Sequence, residues 1–105
     1  ATVKEIHALL TEHLDQRYTI EELSKKFLIN TSSLKEVFKG VYGLPIATYM
    51  KEYRIHKGIE MLKQTDDSIA EIAAKLGYET QGKFTKAFKD TVKMTPTAYR
   101  KMYLH

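Results

Sequence analysis

The chain has 105 residues, of which 43% are hydrophobic and 29% charged, with a formal net charge of +4 and no cysteine. That length and composition suit one domain, or two small subdomains sharing a helix, and they exclude a disulfide framework and any thiolate metal site. No apolar run approaches the roughly 18 residues of a membrane span, and no secretory signal stands at Ala1.

Helix starts are well marked. Thr2-Val3-Lys4-Glu5 has a hydroxyl with glutamate three residues on, the capping-box pattern, and opens a predicted helix over 3–14 with Ile6, Leu10 and Leu14 on one stripe. After an interruption at Asp15–Tyr18, Thr19-Ile20-Glu21-Glu22 repeats the pattern and predicts a helix over 20–27. A break around Ile29-Asn30 precedes a third helix over 31–41, whose apolar stripe reads Leu34, Val37, Phe38 and Val41.

Beyond Tyr42-Gly43, Pro45 suits the first helical position and opens a long helix over 45–63, about 28 Å at roughly 1.5 Å per residue. Tyr49, Met50 and Tyr53 lie near its start, while Ile55, Ile59 and Leu62 face another way towards its end. One half is therefore expected to bury against the helices N-terminal to it and the other against those C-terminal to it, which makes it a rigid spacer. The loop Gln64–Asp67 leads to Ser68-Ile69-Ala70-Glu71, a third capping box, and a helix over 69–76. Gly77–Thr80 breaks the chain before a helix over 81–91 carrying Phe84, Ala87 and Phe88. Thr95-Pro96 then starts a last helix over 96–102. No period-2 stretch competes, so the expected class is all-α: seven helices, in two subdomains (1–44 and 64–105) joined by the 45–63 linker helix.

The two subdomains carry one pattern twice. Ile20, Leu23, Ser24 and Phe27 match Ile69, Ile72, Ala73 and Leu76 at an offset of 49. After one inserted residue, Leu34, Phe38, Lys39 and Tyr49 match Phe84, Phe88, Lys89 and Tyr99 at an offset of 50. Helix, tight break, helix is the grammar of a helix-turn-helix DNA reader, and two of them imply two contacts with one duplex. Charge leans the same way. Residues 1–52 hold seven basic and seven acidic side chains, whereas 53–105 hold ten and six.

With Leu34, Val37 and Phe38 inward, Ser32, Lys35, Glu36 and Lys39 form one outward stripe of the third helix. The matching outward positions of the sixth are Gly82, Thr85, Lys86 and Lys89, with Gln81 at its start and Lys83 on the flank. These are side chains that address base edges or phosphates. Read alone, either stripe is an ordinary solvated face; the pairing behind a paired scaffold favours nucleic acid.

Other chemistry finds little support. His7, His13, His56 and His105 form no i, i+4 pair, so they read as structural and the sequence implies no metal site. Glu21-Glu22 and Asp66-Asp67 stand at or before helix starts, where carboxylates suit the dipole. There is no Gly-rich phosphate loop, nucleophile elbow or cofactor fingerprint, hence no expected cofactor and no enzyme. Tyr49, Tyr53, Tyr78 and Tyr99 fall where helices pack rather than where single strands would stack.

The chain resembles the AraC/XylS family of bacterial transcription regulators along nearly all its length. The residues that carry the likeness are Ile69-Ala70-Glu71-Ile72-Ala73, Gly77-Tyr78, Phe84, Phe88-Lys89 and Thr95-Pro96-Thr97-Ala98-Tyr99-Arg100, with Tyr49-Met50, Arg54, Ile59 and Leu62 on the long helix. The resemblance implies third and sixth helices that enter successive major grooves on one face of double-stranded DNA. It carries base and backbone contacts to Ser32, Lys35, Glu36, Lys39, Gln81, Gly82, Thr85, Lys86 and Lys89. It also implies a cytoplasmic activator that meets RNA polymerase, with a separate sensing or dimerisation domain outside this chain; Ala1 in place of an initiator methionine fits a fragment. Leu28 and Lys93 stand where the family often has glycine, Ser24 and Gly58 where alanine is usual, and Gly82 offers no side chain to a base. The alternative is a helical protein-interaction module whose polar stripes meet an acidic partner.

Overall fold

Hydroxyl caps and apolar stripes resolve into seven α-helices and no strand among the residues described, 2–104, in the computed structural model. They are α1 Thr2–Glu12, α2 Ile20–Phe27, α3 Thr31–Tyr42, α4 Ile46–Gln64, α5 Ile69–Lys75, α6 Gln81–Val92 and α7 Pro96–Leu104. Ala1 and His105 lie outside the described residues, so their expected roles do too.

Two of the three expected capping boxes close reciprocally. The Glu22 amide donates to Thr19 Oγ1 at 3.1 Å, and the Thr19 amide to Glu22 Oε1 at 2.8 Å. The Ser68–Glu71 pair repeats this at 3.1 and 2.9 Å. Each box satisfies two donors that a helix start otherwise leaves unpaired. Thr2 is already helical, so it does not cap α1. Pro45 is likewise displaced by one position. Its carbonyl accepts from the Tyr49 amide at 2.9 Å, as Thr95 does from Tyr99, which puts Pro45 just before the first helical residue. Only Thr95 adds a side-chain cap, its Oγ1 accepting from the Ala98 amide at 3.1 Å. Thr95-Pro96 is thus the cap-and-proline pair read from the sequence.

Two compact units divide the chain between Met50 and Lys51, inside α4. The first buries Ile6, Leu10, Leu23, Leu34, Phe38 and Met50. Around them His7, Phe38, Tyr42 and Tyr49 form an aromatic cluster. His7 stacks on Tyr42 at 4.3 Å between ring centres, and its Nε2 lies 2.8 Å from the Tyr49 hydroxyl. In the second unit Ile55, Leu62, Ile72, Leu76, Phe84, Phe88 and Pro96 are buried.

Val37 and Val41 are corrected. They are 43% and 53% exposed, whereas Leu34 and Phe38 have no exposure. The buried seam of α3 runs Leu34, Phe38, Tyr42, and each valine precedes a seam residue by one position, about 100° around the wheel. An eight-residue α2 and the neighbouring α1 cover only a narrow stripe, so the wider stripe read from the sequence is half solvated.

Candidate nucleic-acid interface

In each unit a short scaffold helix, a turn and a longer helix present a polar face. The first turn pivots on Leu28, which takes the left-handed conformation with φ 53° and stands 93% exposed. Ser24, where alanine is usual, donates its hydroxyl to the Ile29 carbonyl and stitches this turn closed. Asn30 then caps α3, its Oδ1 accepting from the Ser33 amide at 2.9 Å. The second turn pivots on Gly77 at φ 85°, and Thr80 caps α6 by accepting from the Lys83 amide at 3.1 Å.

Two further residues fix α6. Arg54 is 4% exposed, and its Nε donates to the Leu76 carbonyl at 2.9 Å, tying α4 to the residue before the turn. Gly58 explains its own departure from alanine: a Cβ there would lie 3.2 Å from Leu76 Cδ1 and from Phe84 Cε1 and Cζ. Its absence lets Phe84, the first inward residue of α6, seat against α4.

Opposite the buried seam of α3, Ser32, Lys35, Glu36 and Lys39 are all exposed, as the sequence placed them. On α6, Gln81, Gly82, Lys83, Lys86 and Lys89 are exposed and Thr85 is half-buried beside Phe84. The first turns of α3 and α6 contain no acidic residue, whereas α2 begins with Glu21-Glu22 and α5 with Glu71 in its first turn. The first turn of each helix thus holds no carboxylate against its partial positive charge, although Glu79 stands one residue before the α6 cap.

The two faces differ in their internal pairing. Lys35, Glu36 and Lys39 have no opposite charge within ion-pairing distance among the described residues. On α6, Lys83 Nζ lies 3.1 Å from Glu79 Oε2, and Lys86 Nζ lies 3.5 Å from Asp90 Oδ2. Sequence reading overlooked Glu79 and Asp90; their i, i+4 spacing from the two lysines was the available signal. No group of three metal-ligating side chains converges among the described residues, and no helix is long and apolar enough to cross a membrane.

A family model described as a helix-turn-helix domain matches residues 23–102. The transcriptional activator RhaR of Mannheimia succiniciproducens is 26% identical over 102 residues, which is 97% of this chain and 37% of RhaR. Among solved structures, the C-terminal domain of AraT, a response regulator from Geobacillus stearothermophilus, superposes with a TM-score of 0.89 at 27% identity, covering 96% of this chain and 84% of that one. The DNA-binding domain of AdpA, a global transcriptional factor in complex with a target DNA, gives a TM-score of 0.89 at 22% identity over 96% of this chain and 91% of AdpA, a likeness of fold.

Proposed function

The chain belongs to the AraC-type helix-turn-helix family, and from that premise we propose that it is the sequence-specific, double-stranded-DNA-binding domain of a bacterial transcription activator. The observation that carries this is the repeated reader. Each of its two helices is seated by a buried pair four residues apart, Leu34 with Phe38 and Phe84 with Phe88. Each presents lysines and small polar side chains behind a first turn that holds no carboxylate.

In the mechanism, helix starts and lysines dock on phosphates, and base edges are read from α3 and α6 in successive major grooves. The α4 helix joins the two readers in one chain. Ser32, Lys35, Glu36 and Lys39 act in one groove, and Gln81, Lys83, Thr85, Lys86 and Lys89 in the next. Gly82 lets the duplex approach the start of α6 closely. RNA polymerase and a sensing or dimerisation domain are the further partners of the whole regulator, in the cytoplasm.

Titration onto random-sequence duplex across a salt series tests the reading. Affinity should fall steeply with salt, and Lys83→Ala with Lys86→Ala should flatten the log–log slope by about one or two units. No binding at low salt, together with capture by an acidic protein surface, would replace it with the interaction-module alternative. Selection from a random duplex pool then names the site.

A further inference from the structure

Of the two carboxylates on the α6 face, Glu79 stands just before the α6 cap, where a carboxylate suits the dipole, but Asp90 has no such account. Lys83 is paired with Glu79 at 3.1 Å and Lys86 with Asp90 at 3.5 Å, yet all four side chains are more than half exposed. Exposed pairs of this kind add little to stability. Asp90 is also placed against the helix dipole. It follows its lysine by four residues and lies near the C-terminal end of α6, where a carboxylate is disfavoured. The contrasting pair is Lys75–Asp67, at 2.8 Å with its carboxylate mostly covered, which ties α5 to the loop before it.

We propose that Glu79 and Asp90 limit how strongly α6 is held by DNA of arbitrary sequence, each occupying a lysine that a phosphate would otherwise take. The proposal rests on α6 being a DNA reader. When Lys83 or Lys86 turns to a phosphate, its carboxylate loses its partner and faces a field of like charge. The freed carboxylate also recruits a cation, which offsets part of the counterion release that drives sequence-independent binding. The face thus keeps its lysines in position while damping their pull. On α3 no lysine is occupied in this way: Lys35, Glu36 and Lys39 make no ion pair among the described residues.

Glu79→Gln and Asp90→Asn, singly and together, would be titrated onto random-sequence duplex over a salt series. Glu60→Gln serves as the control, removing the same charge beside Lys57 on α4, 3.9 Å away. The double variant should bind roughly 3–10-fold tighter at low salt, with the log–log slope steeper by about one to two units, and should melt with the parent. If the parent binds duplex but affinity and slope do not change in the variants, the inference is overturned and the DNA reading stands. An equal gain from Glu60→Gln reduces the effect to net charge and also overturns it. If the parent itself ignores duplex DNA at low salt, the reading fails and takes the inference with it.

Discussion

Phe38 and Phe88 occupy the same inward position in the two repeats, and both have zero exposure. Truncation of either to alanine should cost about 3–5 kcal/mol, a large share of a small domain's stability. Thermal melts within a degree or two of the parent would contradict this. His7 supplies the pH dependence of the first unit. Burial against Tyr42 and Tyr49 lowers its pKa below the ordinary 6.5. The unfolded chain therefore binds the proton more readily, so stability is full above about pH 6.5 and declines as the pH falls through the interval between the two values. The melting temperature should drop between pH 7.5 and 5.5, and His7→Gln should remove most of that drop. Glu36 is proposed for base choice, since a carboxylate accepts from cytosine N4 but is repelled by phosphates. Glu36→Ala should tighten binding to random duplex and relax discrimination at one position of the selected site by about 1–3 kcal/mol. Titration against the site and its single-base variants measures both.

At the level of elements, each repeat contains two left-handed positions and gives glycine to only one. Leu28 and Gly77 occupy the inter-helix turn at φ 53° and 85°; Gly43 and Lys93 end α3 and α6 at φ 84° and 71°. A side chain in this region costs roughly 1–2 kcal/mol, of which glycine's looser unfolded chain returns part. Leu28→Gly and Lys93→Gly should each stabilise by about 0.5–1 kcal/mol, a rise of a few degrees in a thermal melt. Loss of stability at Leu28 would mean that its exposed side chain makes a contact the turn depends on. The family often has glycine at both sites, and the positive φ is a physical reason for that preference.

For the whole molecule, two weak readers joined in one chain bind with the advantage of effective concentration only if both reach the duplex together. Duplexes of about 21 base pairs, two turns, should bind far more tightly than those of about 10, and shifting one half-site by half a turn should abolish the gain. Equal affinity for both lengths would show that a single helix does the binding.

What the sequence determined by itself is whatever depends on neighbours along the chain. The Thr19 and Ser68 capping boxes, the Thr95-Pro96 start, the 3.6-residue spacing of Leu34 with Phe38 and of Phe84 with Phe88, and the 49- and 50-residue repeat all act within a few turns of helix. They carried the seven helices, the family likeness and the outward stripes of α3 and α6. The tertiary structure decided what depends on width, approach and partner. Val37 and Val41 follow the apolar period, but the covering helices are too narrow to bury them. Gly58 is small because Phe84 comes within contact of it, and Arg54 is buried because the Leu76 carbonyl accepts its proton. Whether a lysine of either face is actually paired rests on side-chain geometry that spacing only permits: Lys83 and Lys86 of α6 reach Glu79 and Asp90 four residues away, whereas Lys35 and Lys39 of α3 make no ion pair with the neighbouring Glu36 among the described residues.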